Sequence, residues 1–151
     1  MRKPAFTLLE IMISMVLLAI LAAAVVPTTK KVVKRQKELE LKHALMEMRT
    51  AIDRFKKAHE EGRIIVDREQ QLGYPRDFDE LMEGVPMVDG EGRKMRFLRR
   101  IPIDPMTGEA EWGMRSAQDD YDSASWGREN LFDVYSLSNG VAMDGTEYAE
   151  W

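Results

Sequence analysis

The chain has 151 residues, 44% of them hydrophobic and 32% charged, and a formal net charge of −4. This length allows one ordinary domain. The composition excludes a disordered chain, and the charge is too small to argue for a nucleic-acid partner. With no cysteine, a disulfide framework and a thiolate metal site are both excluded.

The averages conceal a polarity along the chain. Residues 1–5 carry Arg2 and Lys3 and no apolar stretch. Residues 6–26 are almost wholly apolar, and as a helix they span roughly 32 Å at about 1.5 Å per residue. That length matches the hydrocarbon thickness of a bilayer, about 30 Å. The cations ahead of the run favour a cytoplasmic N-terminus and translocation of the rest. Lys30, Lys31, Lys34 and Arg35 beyond it oppose a simple charge-difference vote. A secretory signal would have a shorter apolar core, with a small-residue cleavage site after it. Ala22, Ala23 and Ala24 offer such a site, but the helical pattern continues past them.

One residue breaks the run. A carboxylate at Glu10 is costly inside a bilayer, about 2.5 kcal/mol or more near the centre and less near an end. It either snorkels at the membrane edge or needs a cation at its own depth. The run holds no cation unless cleavage frees an α-amine at Phe6.

After Pro27 the helical pattern resumes. Proline removes one backbone donor and crowds the preceding turn, so a kink or local melting is expected there. Leu41, Leu45, Met48, Ile52, Phe55 and His59 then recur at helical spacing and mark one apolar face. Gly62 is placed to end the helix, which is expected to run from near Phe6 to Glu61. A face packed on a small sheet is preferred to a coiled coil, because three heptads are too few for the latter. His43 and His59 show no ligand spacing and read as ordinary helix residues.

The rest is rich in breakers, among them Tyr74 with Pro75, Gly84 to Pro86, Asp89 with Gly90, Pro102 and Pro105. Asp77 is expected to cap a short helix over 78–82, with Glu80 in its first turn. Strands are expected within 109–115 and 131–137, and Asn139 with Gly140 signals a turn. Tyr148 and Trp151 are expected to fold back as packing residues. Cations outnumber acids over 30–68, whereas 104–151 is acidic, with Arg115 and Arg128 as its only cations. The pattern suits solvated faces, attraction between the head of one subunit and the stem of another, or a distal cation site.

Phe6, Thr7, Leu8, Leu9 and Glu10, behind a short basic leader, resemble the processing signal of type IV pilins and pseudopilins. In that family the leader is cut before a phenylalanine, a glutamate stands fifth in the mature chain and a proline near its twenty-second position; Glu10 and Pro27 stand at those places. One departure is Ala5, where the family usually has glycine, so slower cleavage is expected. Tyr74, Pro75, Phe78 and Leu81 are similar to the head of the major pseudopilins of type II secretion systems. The run Ile101, Pro102, Ile103, Asp104, Pro105 with Gly108 and Trp112 is similar too. So are residues 131–136 and Gly145, Thr146, Glu147 and Trp151, whereas 112–130, with Asp119, Asp120 and Asp122, match poorly.

The resemblance implies an α+β pilin-like fold, one long N-terminal helix packed on a small antiparallel sheet. Its parts would be a leader at 1–5, a transmembrane helix at 6–27, a helical stem at 28–61 and a periplasmic head at 62–151. It implies cleavage between Ala5 and Phe6 by a prepilin peptidase, N-methylation of Phe6, and assembly through Glu10 and Pro27. The implied product is a homopolymeric filament in the inner membrane and periplasm. The implied partners are minor pseudopilins, an inner-membrane assembly platform and a secretion ATPase. The family's distal loop commonly holds calcium; here the candidate ligands are Leu137, Asn139, Asp144 and Glu147. The paired acids that usually follow the glutamate are replaced by Tyr148 and Ala149. A type IV pilus pilin serving adhesion, motility or DNA uptake shares the same N-terminus. A signal-anchored periplasmic enzyme is the third reading, but no nucleophile–base motif, metal motif or phosphate loop appears.

Overall fold

The computed structural model describes residues 7–66, 71–89, 91–123 and 125–151, without the side chains of 23–29. Ala5, Phe6 and Gly90 therefore lie outside the described residues, as does the side chain of Pro27. The fold is α+β and pilin-like: one long N-terminal helix followed by small antiparallel strand pairs.

Helix α1 covers Leu8–Glu60. It starts where Thr7 can cap it: the Glu10 amide donates to Thr7 Oγ1 at 3.3 Å and the Ile11 amide to the Thr7 carbonyl at 3.3 Å. Thr7 followed three residues later by Glu10 is the spacing of a capping box, and Glu10 also suits the positive end of the helix dipole. The helix passes through Pro27, so the local melting expected there is not observed. It ends as expected at Gly62, with φ +64°. The Gly62 amide donates to the His59 carbonyl and that of Arg63 to the Ala58 carbonyl, each at 2.9 Å. These are the two bonds of a Schellman motif, which asks a left-handed residue of the chain and so favours glycine.

The chain divides into two compact units, Met1–Gln36 and Lys37–Trp151, with the boundary inside α1. In the first, the described apolar side chains from Leu8 to Leu21 are exposed. In the second, α1 buries Leu41, Leu45, Met48, Ile52 and Phe55, together with Ala44, Ala51 and Ala58. The expected face is thus observed except at its end. His59 is only half-buried, and Ala58 takes the core position beside it. Facing these residues are Leu81, Leu98, Trp112, Leu131, Val134 and Tyr148.

Helix α2 covers Phe78–Glu83, and Asp77 caps it by accepting from the Glu80 amide at 3.0 Å. The Glu80 carboxylate in turn accepts from the Arg76 amide at 2.6 Å, so side chains at the two ends of the first turn brace it reciprocally. The expected single small sheet is instead two separate two-stranded ladders. Strands β1 (Val85–Pro86) and β2 (Lys94–Met95) form one; β3 (Trp112–Arg115) and β4 (Asp133–Ser136) form the other. Pro86, Pro102 and Pro105 limit where pairing can continue, because proline cannot donate to a ladder. In the second ladder Gly113 faces Tyr135, whose ring fills the space that a Cβ at position 113 would need. Arg115 covers the same ring at 4.2 Å. That packing buries Tyr135 on the face where alternation alone would expose it.

Candidate functional site

Two places carried functional expectations, the start of α1 and the loop after β4. At the start of α1, Glu10 is exposed. The Ser14 hydroxyl donates to the Glu10 carbonyl at 2.7 Å, so the backbone at Glu10 is held from both sides while its carboxylate projects outward. The Glu10 amide is capped by Thr7, a residue that stays in the chain if residues 1–5 are removed.

A family model described as the prokaryotic N-terminal methylation motif matches residues 1–26. No curated protein and no solved structure matches the chain. The chain thus carries a prepilin-type N-terminus and is type IV pilin-like, and the match spans both sides of the Ala5–Phe6 junction. A prepilin-type N-terminus implies processing by a prepilin peptidase, membrane anchoring and assembly into filaments. Among the described residues no helix is long and apolar enough to cross a membrane. Both ends of the apolar run, Phe6 and residues 23–26, fall outside the described side chains.

The second place is the loop from Ser136 to Glu147. Its four candidate ligands, Leu137, Asn139, Asp144 and Glu147, are all exposed. Asp144 turns onto its own loop: Oδ1 accepts from the Thr146 amide at 3.0 Å and the Thr146 hydroxyl at 2.7 Å. Those bonds hold the Asp144 carboxyl below the usual carboxylate range. Trp151 Nε1 donates to Thr146 Oγ1 at 2.7 Å, and the Ala142 amide to the Thr146 carbonyl at 2.7 Å. Upstream, Ser136 Oγ donates to Asp104 Oδ2 at 2.6 Å. Ser136 Oγ accepts the Ser138 amide and Ser138 Oγ that of Gly140.

A calcium ion wants six to eight oxygens converging on one point. Here the principal carboxylate is committed to Thr146. Among the described residues no group of three or more His, Asp or Glu side chains could hold a metal ion. As arranged, side-chain hydrogen bonds close the turn by themselves, and under that reading calcium adds no stability. Melting of the full-length protein in detergent is expected at the same temperature with calcium and with chelator. A rise on adding calcium would show mass-action binding to the folded state and overturn the reading of a self-held loop.

Three residues that sequence reasoning passed over hold this end of the molecule to α1. Arg49 Nε donates to Asp133 Oδ1 at 2.7 Å, while one terminal nitrogen reaches the Val134 carbonyl at 3.0 Å and the Trp151 carbonyl at 2.6 Å. Glu38 Oε1 accepts from the Met143 amide at 2.9 Å and the Tyr148 hydroxyl at 3.0 Å. Burial, then the neighbouring Glu38, pushes the Tyr148 phenol up to about 12. Lys42 lies 4.2 Å over the Trp151 ring, which meets Tyr148 edge-on at 5.3 Å. In sequence Glu38, Lys42 and Arg49 looked like the solvated side of the stem. Their spacing of four and seven, on one helical stripe, was the only available signal.

Proposed function

We propose that this chain is a pseudopilin, a structural subunit that polymerises from the inner membrane into a filament driving protein export by a type II secretion system. The observation that carries the filament-subunit part of this reading is the match of residues 1–26 to the N-terminal methylation motif, which overlaps the start of α1. In this reading residues 6–27 lie in the inner membrane as a single pass, with the N-terminus cytoplasmic and the head periplasmic. Minor pseudopilins, the assembly platform and a secretion ATPase act on it. Head motifs shared with major pseudopilins favour export over a surface pilus. The role is mechanical, with no catalytic step assigned to any residue.

Processing is its first test. Mass spectrometry of the native protein is expected to show a chain that starts at Phe6 and carries an N-methyl group. Ala5→Gly is expected to speed the cut. An intact Met1 terminus in a host possessing the peptidase would sink the proposal. A deletion strain decides between export and pilus: export fails in the first case, whereas adhesion, motility or DNA uptake fails in the second.

A further inference from the structure

The acidic stretch that matches pseudopilins poorly carries the most exposed large hydrophobic side chain described in the head. Tyr121 is 91% exposed, and Asp120 and Asp122 on either side of it are exposed as well. The loop beneath is not loose. Asp119 Oδ2 accepts from the Ser116 amide at 2.7 Å and the Gly127 amide at 3.1 Å. Trp126 Nε1 donates to the Asn130 carbonyl at 2.9 Å, which ties the far side of the loop to the base of β4. A braced loop thus holds an aromatic ring between two carboxylates in water. Isolated exposed apolar residues are common, but an aromatic residue on a fixed support has the form of an interface anchor.

The counterpart lies elsewhere in the same unit. Residues 93–100 read Arg-Lys-Met-Arg-Phe-Leu-Arg-Arg. Lys94, Arg96, Arg99 and Arg100 are exposed and have no ion pair among the described residues. Arg99 and Phe97 line a groove of about 390 Å³ against Met46, Thr50 and Arg54 of α1, with Glu47 as its single carboxylate. The groove is within the range of pockets that hold small ligands, roughly 300–1,000 Å³, and is ample for one aromatic side chain. Its apolar floor suits a ring, and its guanidinium rim suits both an aromatic face and flanking carboxylates.

The geometry points to a second copy of this chain as the occupant: Asp120, Tyr121 and Asp122 of one subunit dock in the groove of the next. Charge complementarity carries the choice, since one chain bears both an unpaired cationic rim and an acidic, aromatic projection. Peg and groove are different surfaces of the same molecule, so the contact is heterologous. Such contacts propagate into open assemblies rather than closing as a twofold dimer. The inference rests on the filament reading and names one contact between neighbouring subunits within it.

Cysteine cross-linking in the full-length chain tests it, because the protein has no cysteine of its own. Under mild oxidation in the filament-forming host, Thr50→Cys combined with Asp120→Cys, which keeps the Tyr121 ring, is expected to give a covalent ladder. Neither single variant should give one. Arg99→Asp is expected to lower filament yield about tenfold, the size of losing one interface anchor, and Asp122→Arg in the same chain should restore it. Unchanged melting of each variant in detergent separates this from misfolding. Normal filaments of the double-cysteine chain without a ladder overturn the contact and leave the filament reading standing. Dimers from Asp120→Cys alone mean that acidic loops meet each other, which also overturns it. A wild-type chain that makes no filament overturns the filament reading and this contact together.

Discussion

Glu10→Ala is expected to abolish filament formation while leaving the protein in the membrane. In the lipid-embedded monomer the carboxylate opposes insertion, so its loss keeps insertion intact or improves it. In an assembled bundle the apolar faces of residues 6–26 bury one another, and an unpaired carboxylate there is strongly unfavourable. The α-amine of a neighbour's Phe6, created by cleavage, is the nearest cation the chain can supply. In the proposed filament, pairing it with Glu10 sets the axial register between subunits. Glu10→Gln keeps the size and loses the charge, so it is expected to be nearly as damaging.

The local geometry supplies the control. The bonds Glu10 makes to side chains in α1 are through its backbone, amide to Thr7 Oγ1 and carbonyl from the Ser14 hydroxyl, which any residue at position 10 can make. The helix start therefore survives either substitution, at a cost of about 0.3–1 kcal/mol for the lost dipole interaction. Filament and export assays beside membrane fractionation read the result. The assembly role is falsified if Glu10→Ala alone, with no wild-type subunit present, builds normal filaments. Loss of the protein from the membrane would instead place Glu10 in insertion.

Phe55→Ala is expected to have the largest effect on the second unit, about 3–5 kcal/mol of lost stability. Phe55 is fully buried, and its ring meets that of Phe97 at 5.1 Å with a 57° tilt. Alanine is the better helix former, but by well under 1 kcal/mol, so the cavity decides the sign. Small domains sit at the lower end of roughly 5–15 kcal/mol of total stability, and a loss of this size removes much of it. Near-UV circular dichroism melting of the full-length protein in detergent measures the change. Phe132→Ala, at a side chain 46% exposed, serves as the mild comparison. Equal melting of the two variants would mean that Phe55 is not central to the core.

The sequence by itself determined whatever depends on neighbours along the chain. Thr7 and Glu10, three residues apart behind a basic leader, specify both a helix start and a processing signal. Helical spacing picked out Leu41, Leu45, Met48, Ile52 and Phe55 because periodicity records which side of a helix is dry. Asp77 and Gly62 announced a cap and a stop, since each supplies a hydrogen bond or a backbone angle within a few residues. Tertiary structure alone decided the pairings between distant segments. Nothing near Arg49 in the chain indicates that it would reach Asp133, Val134 and Trp151, or that Glu38 would receive Tyr148. The strands split into two ladders because each partner's position is set by the core, while prolines only limit where pairing can continue. Asp144 has the residue type of a calcium ligand, yet the fold turns it onto Thr146. A carboxylate's partner is set by which donor the folded backbone brings within about 3 Å, and residue type alone cannot specify that.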